Sequence, residues 1–118
     1  MNIEEFREFC LAQKGVTECF PFDEYTLVMK VGDKIFALAA LEGNFSINLK
    51  SDPEIAVNLR EEYSDVRPGY HMSKKHWNTI DITGSISDKL IYQWITDSYN
   101  LVFKSLPKKI QQLILEEG

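Results

Sequence analysis

The segment YTLVMKVGDKIFALAALEGNFSINLK, residues 25–50, decides the fold. Residues 25–31 and 34–41 are rich in β-branched, aromatic and other apolar side chains, and only Gly32-Asp33 separates them, a pair that favours a two-residue hairpin turn of type II′. After a further turn, residues 45–50 alternate apolar and polar side chains, which is typical of a half-buried strand. The segment therefore predicts a three-stranded antiparallel meander.

Helices are predicted on both sides of this meander. Asn2 is a suitable N-cap for a first helix, which carries an apolar stripe and ends at Gly15. Residues 18–24 then form a connector to the first strand. Beyond the meander, Asp52 as N-cap and Pro53 at the first helical position predict a short second helix.

The C-terminal half adds two strands and two helices. Residues 70–72 and 78–82 are predicted strands that pair around the connection SKKHW. Ser87 is the predicted N-cap of a long helix to about residue 106, and Pro107 ends that helix before a C-terminal amphipathic helix. The order α-β(3)-α-β(2)-α plus a C-terminal helix predicts an α+β fold, a two-layer α/β sandwich with an antiparallel sheet and helices on one face.

Composition limits the class of protein. The 118 residues suit one domain, residues 1–118, and the formal net charge of -5 opposes non-specific binding to a polyanion. The N-terminal residues lack a signal-peptide pattern and no run is apolar enough to span a membrane, so we expect a cytoplasmic protein. Cys10 and Cys19 are too few for a disulfide framework and are expected to be reduced thiols.

Several motifs in a fixed order carry a family resemblance. They are PFD (21–23), VGDKIFAL (31–38), NLKSDPE (48–54), PGYHMSKKHWNT (68–79) and SYNLV (98–102). From about residue 3 to 110 the chain resembles the MmcQ/YjbR family. The resemblance implies a fold similar to the frataxin-like and secretion-chaperone α/β sandwiches. It also implies a DNA-binding role, which is the usual label of the family.

A local excess of basic residues is the main candidate site. No acid lies between Asp65 and Asp81, whereas this window holds basic and aromatic residues, with two more basic residues expected nearby. Lysine and arginine neutralise phosphates and exposed aromatic rings stack on bases, so the window predicts contact with DNA or another polyanion. The candidate residues are Lys50, Arg60, Arg67, Tyr70, His71, Lys74, Lys75, His76 and Trp77. Alternatively, the two aromatic residues pack on the sheet and the lysines are solvated in a loop.

No catalytic signature is present, and we expect neither a cofactor nor a metal site. His71 and His76 lack the i, i+4 spacing of helical metal ligands, and the acidic residues near the N-terminus are explained by solubility and by the helix dipole. Ser98 is interpreted as a small residue that allows close packing. The alternative function is a protein-interaction or chaperone-like module that uses the sheet face or the C-terminal helix, as a monomer or weak dimer.

Overall fold

The structure is a computed structural model that describes residues 1–69 and 73–117. Within these residues the helices are α1 (Ile3–Leu11), α2 (Pro53–Glu62), α3 (Asp88–Ser105) and α4 (Lys108–Glu117). The strands are β1 (Val16–Cys19), β2 (Thr26–Val31), β3 (Lys34–Ala40), β4 (Ser46–Lys50), β5 (Val66–Pro68) and β6 (Trp77–Asp81). They form one antiparallel sheet in the order β1-β2-β3-β4-β6-β5, which confirms the α+β class and the antiparallel sheet.

Strand β1 is absent from the prediction. The connector predicted over residues 18–24 is wrong at its start, because β1 includes Glu18 and pairs with β2, with Cys19 opposite Val28. Its four residues are too few to reveal an alternation, and they include a charged side chain. The negative charge of the Glu18 carboxylate is compensated by Arg7 of α1, with which it forms an ion pair of 2.7 Å.

Strand β5 begins earlier than the sequence predicts. The predicted strand at residues 70–72 lies outside the described residues, whereas the strand that pairs with β6 is Val66–Pro68. Pro68 belongs to this strand and is paired opposite Asn78. A proline is tolerated here because β5 is an edge strand, where a missing N–H costs no ladder hydrogen bond.

The turn between β2 and β3 is a two-residue hairpin, as predicted, but of a different type. Gly32 has a φ of 56° and Asp33 a φ of 67°. Positive φ at both central residues defines a type I′ turn, so the type II′ prediction is wrong. Aspartate tolerates this conformation better than most residues. A Cβ on Gly32 would lie 2.7 Å from a methyl group of Leu106, so a larger residue here would also displace that side chain.

The helix starts follow the predicted caps. Asn2 forms a capping box with Glu5: the Asn2 side chain accepts from the Glu5 N–H at 2.8 Å, and the Asn2 N–H donates to the Glu5 carboxylate at 3.1 Å. The Ser87 side chain caps α3. Helix α1 ends at Leu11, before the predicted end at Gly15, whose positive φ of 75° turns the chain into β1.

The helices pack on one face of the sheet, which we call the helix face. The buried core on this side includes Phe6, Cys10, Leu27, Met29, Val31, Ala37, Ala39, Ile47, Leu49, Val66, Ile80, Ile91, Ile95 and Val102. Strand residues that alternate with these point to the opposite side, the open face. There a smaller buried cluster consists of Val28, Leu38 and Trp77.

Ser98 of α3 joins the helix layer to the sheet. Its side chain is fully buried, and its hydroxyl donates to the Phe36 carbonyl at 2.5 Å and accepts from the Lys50 N–H at 2.9 Å. These groups lie beyond the last β3–β4 pair, Ala37 opposite Leu49, next to the β2–β3 register shift. The hydroxyl therefore replaces a ladder hydrogen bond, in addition to the close packing that the sequence suggests.

Within residues 1–69 and 73–117, no helix combines the length and the apolar character needed to cross a membrane.

Replacing Ser98 with alanine should lower the free energy of unfolding by about 1–3 kcal/mol, because it leaves a buried carbonyl and a part-buried N–H without their shared partner. Ser105→Ala is the matched control, since Ser105 lies in the same helix but is exposed and donates to a carbonyl of its own helix, that of Val102. Urea unfolding measures both. Equal losses in the two variants would contradict a bridging role for Ser98.

Trp77 should be shielded from solvent because it is 5% exposed and packs on Val28 and Leu38. In a Trp94→Phe variant, acrylamide should quench the remaining Trp77 fluorescence weakly. In the reciprocal Trp77→Phe variant, it should quench half-buried Trp94 more strongly. The packing assignment fails if Trp77 is quenched as strongly as Trp94.

Candidate binding site on the open face of the sheet

A continuous row of paired residues crosses the open face. It runs through all the strands of the sheet as Cys19, Val28, Leu38, Asn48, Thr79 and Arg67. The residues of this row on β1, β2 and β3 are apolar, whereas those on β4, β6 and β5 are polar. The open face therefore has an apolar side, covered by Trp77, and a polar side.

The next row along the strands contains small side chains. Thr26, Ala40 and Ser46 are directly paired neighbours on β2, β3 and β4. Ser46 is in turn paired with Asp81 of β6. Because these side chains are short, they leave a hollow of about 470 Å³, which Phe22 and Arg67 also line. We call this cavity the open-face hollow. Its volume is within the range of about 300–1,000 Å³ typical of small-molecule sites.

The polar groups around the hollow are only partly paired with one another. The Thr79 hydroxyl donates to the Asn48 side-chain carbonyl at 2.6 Å, and the Asp23 carboxylate accepts from the Tyr25 N–H at 2.8 Å. Ser46 is 8% exposed and lines the hollow. Within the described part of the chain, the buried side-chain nitrogen or oxygen that lacks a hydrogen-bond partner is Nε2 of Gln13, so the Ser46 hydroxyl is not a buried unpaired group.

Arg67, one of the predicted anion contacts, is ion-paired. Its Nε and one terminal nitrogen donate to the two carboxylate oxygens of Asp81, each at 2.9 Å. This fork-to-fork geometry is a strong form of hydrogen-bonded ion pair. Asp81 marks the end of the acid-free window in sequence, but in space it neutralises the first basic residue of that window.

Arg60 and Trp77 have structural contacts. Arg60 donates through Nε to the Asn78 side chain at 2.6 Å and through a terminal nitrogen to the Lys74 carbonyl. Asn78 in turn donates to the Ala56 carbonyl at 3.1 Å, so this network connects α2, β6 and the turn before β6. Trp77 is buried, which agrees with the alternative that it packs on the sheet.

The remaining basic candidates gather at one end of β6. Lys74 and Lys75 are exposed and His76 is half-buried; we call residues 74–76 the basic turn. Lys50 lies close to it, because Lys50 is paired with Trp77 and the Ser51 N–H donates to the His76 carbonyl at 2.8 Å. The structure thus brings Lys50, Lys74, Lys75 and His76 together. The Arg60 guanidinium also contacts this turn through the Lys74 carbonyl, whereas Arg67 is held in a separate ion pair with Asp81. Tyr70 and His71 lie outside the described residues.

Other reactive groups do not form a site in the described residues. Burial raises the pKa of the Cys10 thiol to about 12, and Cys19 is a half-buried free thiol. Tyr99 donates to the Lys14 carbonyl at 2.5 Å, and burial raises its pKa. Among residues 1–69 and 73–117, no three His, Cys, Asp or Glu side chains are placed to hold a metal ion.

The hollow was missed by sequence reasoning. The alternation in residues 45–50 predicts that Ser46, Asn48 and Lys50 share one face, and this is correct. It gives no sign that Thr26 and Ala40 lie beside Ser46, because those pairings depend on strand registers. Phe22 belongs to the PFD motif, but its position at the hollow follows from the tertiary structure.

Known proteins share both the sequence and the fold. The YjbR family model matches residues 11–101. The "Uncharacterized protein YjbR" of Escherichia coli K12 is 34% identical over 117 residues, which cover 98% of this chain and 99% of that protein. The "Uncharacterized protein YbdF" of Escherichia coli O157:H7 is 39% identical over 112 residues, 94% of this chain and 92% of that protein.

Solved structures agree with these relatives. The crystal structure of Deinococcus radiodurans DR2400, a DUF419 domain, superposes with a TM-score of 0.90 at 32% identity, covering 96% of this chain and 87% of that one. A Pseudomonas syringae crystal structure gives a TM-score of 0.75 at 28% identity, covering 86% of this chain and 98% of that one. The motifs, the family match and the shared fold lead to one conclusion: the chain belongs to the YjbR family, also called MmcQ/YjbR.

Proposed function

We propose that this protein is a protein-interaction module whose binding surface is the aromatic rim of the open face. The rim consists of four large apolar side chains at the start of β2 and the end of β3. Their exposed fractions are 48% for Phe20, 63% for Phe22, 46% for Tyr25 and 41% for Leu41. The Leu41 N–H donates to the Tyr25 carbonyl at 2.8 Å, so the two segments of the rim adjoin. Grouped apolar exposure of this kind marks interaction surfaces.

The charges beside the rim favour a basic partner. Asp23, Glu24 and Glu42 lie within the same two segments and are all exposed. Aromatic side chains interspersed with acids complement a segment that carries apolar anchors and lysine or arginine. The net charge of -5 also favours a basic partner, because it accelerates the approach of a positively charged molecule. We therefore assign the rim to a basic, partly apolar segment of another protein.

A photo-crosslinking phenylalanine analogue at position 22 should capture a defined protein in bacterial cells, because Phe22 is the most exposed aromatic of the rim. The matched position is Leu115 on α4, which is 54% exposed but distant in sequence from the rim. Mass spectrometry identifies the adducts. We expect at least a several-fold higher yield of one partner from position 22 than from position 115.

Charge reversal tests the chemistry of that partner. Glu24→Lys with Glu42→Lys should reduce the adduct at position 22 by about tenfold, since like charges across an interface disfavour binding. Glu116→Lys with Glu117→Lys makes the same change in net charge on α4 and should leave the yield unchanged. Equal adducts from both crosslinking positions, or equal losses in both charge variants, would refute the proposal.

A second candidate function is the binding of DNA or another polyanion through the basic turn. Its support is that Lys74 and Lys75 are both exposed and that Lys50 and His76 lie beside them. Arg67 contributes less to this surface than the sequence suggests, because Asp81 already neutralises its charge. Trp77 is buried and supports the turn rather than stacking on bases.

Fluorescence anisotropy with single-stranded and duplex DNA at low salt tests this candidate. Lys74→Glu with Lys75→Glu should weaken binding by at least about tenfold and reduce its salt dependence, because phosphate contacts release counterions. Lys108→Glu with Lys109→Glu is the control: it reverses an adjacent pair of exposed lysines on α4 and changes the net charge equally. The candidate is rejected if the native chain does not bind, or if both variants lose affinity to the same extent.

A further inference from the structure

A second cavity lies on the helix face, between α2 and α3, and we call it the interhelix cleft. Its volume is about 400 Å³, within the range of about 300–1,000 Å³ typical of small-molecule sites. The sheet, α2 and α3 each contribute two large apolar side chains to its lining. These are Leu49, Ile55, Leu59, Ile80, Trp94 and Leu101.

The two helices meet at one end of the cleft. The rings of Tyr63, the residue after α2, and Trp94 of α3 make an edge contact with centroids 5.3 Å apart. The start of α2 follows β4, whose Lys50 N–H is bonded to Ser98, about one turn beyond Trp94 on α3. The helices therefore run antiparallel, and the cleft extends from the Trp94 ring towards the start of α2.

Four charged residues also line the cleft, two of each sign. Lys50 and Asp52 lie at the junction of β4 and α2, and Asp97 and Lys104 lie about two turns apart on α3. None of the four belongs to an ion pair within residues 1–69 and 73–117. Asp97 accepts a hydrogen bond of 2.9 Å from Gln93, which is a neutral amide. The cleft thus presents both signs of charge beside an apolar interior.

We propose that the interhelix cleft binds a free amino acid with a large apolar side chain. Its carboxylate pairs with the lysines, its ammonium group pairs with the aspartates, and its side chain packs against Trp94. A ligand with a single charge is disfavoured, because it meets residues of its own sign in the same lining. This inference goes beyond the protein-interaction function, since the cleft lies on the opposite side of the sheet from the aromatic rim.

The length of the cleft suits a ligand with a charged head and an apolar body. Trp94 and Lys104 are ten positions apart, which corresponds to about 15 Å along a helix. An aromatic or branched side chain and an amino acid head group fit within this length. Ile55 lines the cleft and is 50% exposed, so an apolar ligand also covers surface that the fold leaves in water.

Three ligands with the same body test the proposal on the full chain: L-phenylalanine, 3-phenylpropionate and 2-phenylethylamine. The first is a zwitterion, the second has only the carboxylate and the third only the ammonium group. Amide NMR of the 15N-labelled protein locates and measures binding. Phenylalanine should bind with a dissociation constant on the order of 1 mM and shift signals of residues 49–59 and 94–104. Each analogue should bind at least about fivefold more weakly.

Two variants with matched controls connect this binding to the cleft. Lys104→Glu should weaken phenylalanine binding at least about fivefold, whereas Lys89→Glu, which reverses an exposed lysine of α3 outside the cleft, should not. Asn100→Trp should fill the cleft and abolish binding. It should still fold, because Asn100 is exposed, and Ser105→Trp is its control.

Three results would overturn the proposal. The first is that none of phenylalanine, tryptophan, leucine and methionine shifts the signals of the cleft. The second is that a singly charged analogue binds as tightly as phenylalanine. The third is that the Lys104→Glu and Asn100→Trp variants both bind like the native chain. The crosslinking yield at position 22 does not enter this test, so the inference and the protein-interaction function fail independently.

Discussion

In the described part of the chain, the helices cover one face of the six-stranded sheet and leave the other open, and the rest of the structure follows from this asymmetry. The helix face carries most of the buried apolar side chains, because the helices shield them there from water. The open face is in contact with water, so its apolar side chains need another cover than a helix. Trp77 achieves this on the apolar side by covering Val28 and Leu38. On the other side, short polar residues replace large apolar ones and leave the hollow.

Ser98 shows how tightly the two layers are coupled. Its hydroxyl bonds to the backbone of both β3 and β4 at the point where their pairing ends. The long helix α3 is thereby fixed relative to the central strands. Since the open face is the reverse side of the same strands, the positions of Ala40 and Ser46 depend on that attachment. The candidate site is thus built on paired strands, and the rim segments flank them.

Two of the basic candidate residues have structural contacts that the sequence alone does not indicate. Among the described basic residues, Arg67 pairs with Asp81 and Arg60 connects α2 to the turn before β6. An acid-free window along the chain is not an acid-free region in space, because antiparallel pairing places Asp81 beside β5. The basic turn remains as a smaller positive surface, while the aromatic rim and the hollow lie elsewhere on the sheet.

Local patterns predicted the elements well, whereas the site depended on long-range pairing. The alternation in residues 45–50, the Asn2 and Ser87 caps and the hairpin at Gly32-Asp33 are all short-range signals that the fold retains. Strand β1 was missed because its alternation is too short. The hollow was missed because it requires side chains from three strands in register, which no local pattern specifies.

The central claim is that the open face, including its rim, is the surface through which this protein binds other proteins. Residue-resolved amide NMR of the 15N-labelled chain, compared between buffer and concentrated bacterial extract freed of small molecules, tests that claim most directly. The account predicts that shifts and line broadening are concentrated in residues 20–26 and 38–48. Changes concentrated in α2 and α3, or spectra that are identical in buffer and extract, would contradict it.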